Sequence, residues 1–185
     1  MAKPKALVRD CVVRIITQRK DVLRLASKHR AKFEHWLKFE LAAALANKDG
    51  ISCVQPEKPY LKKGRSDVAF ETKAGECCVE LKTSNTNWRV EGVVSKTRPI
   101  TKNISGIIDD IEKLRRCCGD ALGLAAFVLF PVPNRIWEDD TSTLLRHLRS
   151  IESKALLPRG SLRENASFVP IESKYGVLVF VVDVG

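Results

Sequence analysis

The chain has 185 residues, 44% of them hydrophobic and 29% charged, and its Lys and Arg exceed its acids to leave a net charge of +10. That length supports one well-buried domain rather than two, and no apolar run reaches the roughly 18–20 residues needed to span a bilayer. The basic balance, with a pI of about 9.5, points to a polyanionic partner. Nucleic acid is favoured over an anionic membrane, because no basic stretch at a terminus is also strongly amphipathic.

The opening Met1-Ala2-Lys3-Pro4-Lys5 carries charge but no signal-peptide apolar region, so a soluble, cytoplasmic protein is expected. Its cysteines (Cys11, Cys53, Cys77-Cys78 and Cys117-Cys118) lack C-x2-C spacing, which argues against a zinc module and for reduced, small core residues. His29, His35 and His147 are scattered, and nothing marks a nucleophile elbow.

From Ala6 to about Ala26, apolar residues recur at helical spacing, with Leu7, Cys11, Ile15, Val22 and Leu23 separated by Arg and Lys. Ser27 is placed as N-cap of a second helix running to about Lys48, with Gly50 near its left-handed stop; one kinked helix fits the same pattern. On the second helix Phe33, Trp36, Leu37, Leu41, Ala44 and Leu45 form one apolar face at about 100° per residue. Glu40 falls inside that face and Glu34 nearer its edge. An acid facing inward is costly unless it is paired or holds a metal, which makes Glu40 the first candidate and Glu34 the alternative.

Ile51 to Pro56 reads as a short strand, closed by Pro56 and Pro59. The basic loop Tyr60 to Arg65 leads into a hairpin over Gly64–Lys82. A two-residue turn at Ala74-Gly75 would pair Lys73 with Glu76, Ala69 with Glu80 and Asp67 with Lys82. In that register Asp67, Glu80 and Lys82 share one face, with Val79 and Leu81 opposite. Two carboxylates and an ammonium on one face can serve a divalent cation and an activated water.

After Lys82 the polar, turn-rich Thr83 to Arg89 contains Trp88, able to stack on a base or to anchor the loop to the core. Val90 to Lys102 carries Lys96, Arg98 and Lys102 among hydroxyls and amides, a mixture suited to a sugar–phosphate backbone. Ile104, Ile107, Ile108, Ile111 and Leu114 mark an amphipathic helix capped at Thr101 or Asn103, with Asp109, Asp110, Glu112 and Lys113 outside. Leu122 to Val132 is a nearly continuous apolar run, as for a buried central strand. Thr141 to about Ala155 is helical, a short strand lies near Phe168-Val169, and Tyr175 to Val184 is a last strand.

Asp67, twelve intervening residues, then Glu80-Leu81-Lys82 resembles the PD-(D/E)xK motif of the restriction-endonuclease-like nucleases, with Ser66 where the motif has proline. The resemblance covers about Phe33 to Val132. It implies an α/β fold in which helices flank a mixed central sheet in the order α-βββ-α-β. In this chain 1–27 would be a helical extension, 28–133 the core, and 134–185 an added helix and strand.

In members of that superfamily the first core helix often carries a further glutamate, here Glu40. The resemblance implies Mg²⁺, with Mn²⁺ as substitute, held by Asp67, Glu80, Glu40 and the Leu81 carbonyl, with Lys82 beside the attacking water. Lys63, Arg65, Lys96, Arg98 and Lys102 would hold flanking phosphates and Trp88 a base. The expected activity is metal-dependent hydrolysis of DNA, by a homodimer where two strands are cut. The alternatives are a non-cutting nucleic-acid-binding protein of the same fold and a partner-binding protein whose acids serve stability.

Overall fold

The computed structural model describes residues 3–60, 64–89, 91, 100–138 and 143–184. The chain runs α1 (Pro4–Gln18), α2 (Lys20–His29), α3 (Glu34–Ala46), β1 (Ser52–Pro56), β2 (Val68–Thr72), β3 (Gly75–Asn85), α4 (Ile100–Cys117), β4 (Leu122–Pro133), α5 (Thr143–Lys154), α6 (Ser161–Asn165), β5 (Ser167–Pro170) and β6 (Tyr175–Asp183). The strands form one mixed sheet in the order β1-β2-β3-β4-β6-β5. β1, β2 and β3 are an antiparallel meander, β4 runs parallel to β3 after the α4 crossover, and β6 is antiparallel to both β4 and β5. No helix among the described residues is long and apolar enough to cross a membrane.

The sheet has a core on each face. Alternation along β4 sends Leu124, Ala126, Val128 and Phe130 against α1 and α3, and Ala125, Phe127 and Leu129 against α4 and α5. A central strand covered on both sides must be apolar at every position, which is why Leu122 to Val132 reads as an unbroken run.

Several boundaries differ from the sequence expectation. The first helical segment breaks at Arg19 (φ −120°, ψ 46°), and Arg30 takes the left-handed conformation (φ 52°) after α2. Ser27 is therefore buried inside α2 rather than capping α3, which starts at Glu34 after Phe33. Thr101 and Asn103 lie inside α4, which begins at Ile100; the Asn103 amide donates to the Asn85 carbonyl at 2.9 Å instead. Thr83, Ser84 and Asn85 extend β3 rather than forming a turn, because Val128, Leu129 and Phe130 of β4 pair with them. Cys53 is exposed, whereas Cys11, Cys77 and Cys78 are the buried thiols expected. A short helix, α6, precedes β5 and was not signalled by periodicity.

Candidate active site at the β2–β3 fork

The hairpin turns one residue earlier than its sequence suggests, at Lys73-Ala74, which moves every cross-strand partner by two. Thr72 pairs with Gly75, and the register runs on through Ala69–Cys78 to Val68–Val79. The Thr72 hydroxyl explains the choice: it accepts from the Ala74 N–H and donates to the Gly75 carbonyl, both at 3.1 Å. Gly75 absorbs the positive φ (120°) that only glycine takes without strain. Asp67 therefore does not pair with Lys82, nor Ala69 with Glu80.

Asp67 enters the site by another route. Its N–H donates to the Val79 carbonyl at 3.0 Å, so Asp67 and Val68 both oppose Val79, a bulge-like step that re-aims the side chain. β3 continues past this point while β2 ends, leaving β3 N–H groups on that side without a strand partner. Asp67 Oδ2 accepts the Leu81 N–H at 2.8 Å and Glu34 Oε2 accepts the Thr83 N–H at 3.0 Å. Two carboxylates thus stand where a neighbouring strand's carbonyls would be. A strand residue aims its N–H and C=O to the same side, so the Leu81 carbonyl opens onto this notch.

Ser66 in the motif's proline position also has a structural reason. Its N–H donates to the Lys58 carbonyl at 2.9 Å, a bond that proline lacks the hydrogen to make.

Glu80 and Lys82 project from β3 toward α4. Glu80 is 5% exposed; its Oε1 accepts the Tyr60 hydroxyl at 2.5 Å and lies 2.7 Å from Lys113 Nζ. Burial pushes the Glu80 carboxyl up to about 7, opposed by the Lys113 and Tyr60 hydrogen bonds and helped by the Asp67 charge. Tyr60 is itself held well above the usual phenol range, by burial and then by Glu80, so the phenol keeps its proton and donates. Lys82 Nζ lies 2.9 Å from Asp110 Oδ2. Burial alone would lower the Lys82 ammonium, but Asp110, with Glu34 and Asp67 behind it, raises it overall. Asp110 is raised by burial, with Lys82 opposing.

Gly106 makes room for this arrangement: a Cβ there would stand 3.2 Å from Lys82 Cε. On the α3 side Lys38 is 4% exposed. Its ammonium hydrogen-bonds Glu57 and lies 3.8 Å from Asp67 Oδ1.

The structure gathers Asp67, Glu80, Leu81 and Lys82 and leaves Glu40 out. Glu40 accepts from the Trp36 indole at 3.1 Å, lies 3.9 Å from Arg19, and has a side chain 39% exposed. The buried face of α3 centres on Leu37, Lys38, Leu41 and Leu45, away from Trp36. Lys38 and Ala42 are buried whereas Trp36 and Ala44 are half-buried, and this turns the inward stripe of α3 onto Glu34 and away from Glu40.

Of the residues expected to hold nucleic acid, Lys63, Lys96 and Arg98 lie outside the described residues. Arg65 is exposed beside the fork, 3.5 Å from Glu57, and Lys102 is exposed on the first turn of α4. Trp88 is half-buried and packs against the core on the α1–α3 side, as the anchoring alternative has it.

Tyr60, Lys38, Asp110 and Lys113 were not anticipated as part of the site. For Asp110 a signal existed: it flanks the isoleucine stripe of α4, with Lys113 one turn further on at i+3 and farther round the helix.

The fork supplies oxygen donors from Asp67, Glu80 and the Leu81 carbonyl, a set suited to a hard divalent cation. Among the described residues no three His, Cys, Asp or Glu side chains converge closely enough to hold a metal by themselves. No protein-family model matches the chain, nor does any curated protein or solved structure.

Proposed function

We propose that the chain is a metal-dependent phosphodiesterase acting on DNA, with its active site at the β2–β3 fork. One observation carries the reading: the Asp67 carboxylate is tied to the Leu81 N–H at 2.8 Å, beside Glu80 and Lys82 in sequence, although the strand register that would have aligned them is absent. The order α3-β1-β2-β3-α4-β4, followed by an antiparallel β6, supports membership of the restriction-endonuclease-like superfamily.

Asp67 Oδ1, Glu80 and the Leu81 carbonyl would hold Mg²⁺ or Mn²⁺, with Glu34 in place of Glu40 as the nearby helix acid. Such an ion would supply Lewis-acid polarisation of the phosphodiester and a bound water of lowered pKa. Lys82 stays protonated beside Asp110, so it acts as a fixed cation. It orients the attacking water and offsets the charge that builds on the phosphorus oxygens. Asp67 keeps its geometry because Oδ2 is tied to the Leu81 N–H. Arg65 and Lys102 offer exposed cations for the flanking backbone.

A second reading, a non-cutting nucleic-acid-binding protein of the same fold, is favoured by the ion pairs that already occupy Glu80 and Lys82. A panel of single-stranded, duplex and branched DNA and RNA, with Mg²⁺ or Mn²⁺, separates the two. Cleavage that stops on chelation and is lost in Lys82→Ala supports the nuclease. Salt-sensitive binding with no cleavage of any substrate supports the second reading. Salt-insensitive or absent binding removes both.

A further inference from the structure

Lys113 sits where a cation belongs. Its ammonium is 2.7 Å from Glu80 Oε1 and 2.8 Å from the Arg65 carbonyl, and 5.3 Å from the centre of the Tyr60 ring. An anionic oxygen, a carbonyl oxygen and an aromatic face form a cation's coordination shell, here assembled from β3, the loop before β2, and the chain after β1. Gly64 accommodates the stem: at φ +91°, its missing Cβ would lie 3.4 Å from Lys113 Cε.

We infer that Lys113 is a resident cation that competes with the divalent ion for Glu80, so that the fork is loaded by exchange of one positive charge for another. The inference rests on the reading of the fork as a metal site. Glu80 is 5% exposed, and a carboxylate that deep needs a positive partner whenever it is ionised. Lys113 provides one without a bound metal.

Its side chain is 31% exposed, so the four-carbon stem has a path to water, and the ammonium can leave without being stranded in the core. Lys82 differs: its side chain is 23% exposed and Asp110 holds it from α4. Lys113 is thus the exchangeable cation and Lys82 the fixed one. Once displaced, Lys113 emerges next to Arg65, on the side from which a phosphate backbone would approach.

The test is Mn²⁺ binding to the full chain, followed by the electron paramagnetic resonance signal of free Mn²⁺, for wild type, Lys113→Met and Lys113→Arg. Lys113→Met is expected to bind about tenfold to a hundredfold more tightly, the equivalent of one charge-assisted hydrogen bond no longer broken. Lys113→Arg, which keeps the competing charge, is expected to bind no more tightly than wild type.

A second measurement needs no variant. Acetylation of Lys113 in the wild-type protein, mapped by mass spectrometry, is expected to rise as Mn²⁺ is added. Equal Mn²⁺ affinity of wild type and Lys113→Met, or Lys113 labelling that Mn²⁺ leaves unchanged while it binds, overturns the exchange and leaves the metal site standing. Absence of Mn²⁺ binding in wild type and both variants overturns the metal reading, and the exchange with it.

Discussion

β3 and β4 are hydrogen-bonded neighbours in one sheet, yet they carry opposite kinds of interior. From Leu124 to Phe130, β4 is buried on both faces by apolar side chains, with Phe127 stacked on Phe180 of β6 at 4.8 Å between ring centres. One strand over, Glu80 is buried to the same depth, and Lys82 lies alongside with side-chain exposure of 23%. The apolar centre is stabilised by its own burial. The charged fork persists only because each ion has a partner: Lys113 for Glu80, Asp110 for Lys82, Lys38 and the Leu81 N–H for Asp67. Replacing such a network with apolar residues often costs nothing in stability. Such a paired, buried network is what the proposed chemistry at the fork would require.

The contrast breaks most sharply in stability. Phe127→Ala is expected to lose about 3–5 kcal/mol, since it opens a cavity in the stacked centre; denaturant unfolding measures it. Lys82→Ala leaves the largely buried Asp110 without its cation and is expected to lose about 1–3 kcal/mol, while cutting the metal-dependent cleavage rate by about two to three orders of magnitude.

The fork also has a pH signature that the apolar centre lacks. The folded-state pKa of Glu80, about 7, lies above its ordinary value of 4.5. Its contribution is fully present below pH 4.5 and is lost as pH rises through 7, which amounts to up to about 3 kcal/mol. Glu80→Gln is expected to flatten the stability profile across that window in thermal or urea unfolding.

A smaller effect separates the two helix acids. Glu34→Ala leaves the Thr83 N–H without its acceptor and is expected to cost about 1–3 kcal/mol. Glu40→Ala, half-exposed and remote from the fork, is expected to stay within about 0.5 kcal/mol and to leave cleavage unchanged. Smallest is Gly106→Ala. Better helix propensity, up to about 1 kcal/mol, is set against crowding at Lys82 Cε, so stability is expected to change little while cleavage falls.

Sequence reading reached the apolar centre more surely than the fork, for physical reasons. A strand buried on both faces announces itself by composition, and Leu122 to Val132 needed no partner to be identified. The site depended on relations between segments. Alternation placed Glu80 and Lys82 on one face, but Asp67 joins them through a bulge and an in-plane carboxylate, which no face pattern encodes. The turn moved because a Thr72 hydroxyl completed it. Glu40 was chosen over Glu34 because Trp36 was counted as core and Lys38 as surface, and the buried lysine reversed that. Asp110 and Lys113 fall off the isoleucine stripe, where charges usually meet water, and the long Lys113 side chain reaches back to Glu80.

The central claim, that the fork is a nuclease site, is tested most directly by single-turnover cleavage of end-labelled DNA in Mg²⁺ or Mn²⁺ by wild type and Asp67→Asn. Asparagine keeps an acceptor for the Leu81 N–H while removing the charge. The account predicts cleavage by wild type that stops on chelation, and none by the folded variant. Cleavage by Asp67→Asn at the wild-type rate, or none by wild type with either ion on any form of DNA, would contradict it.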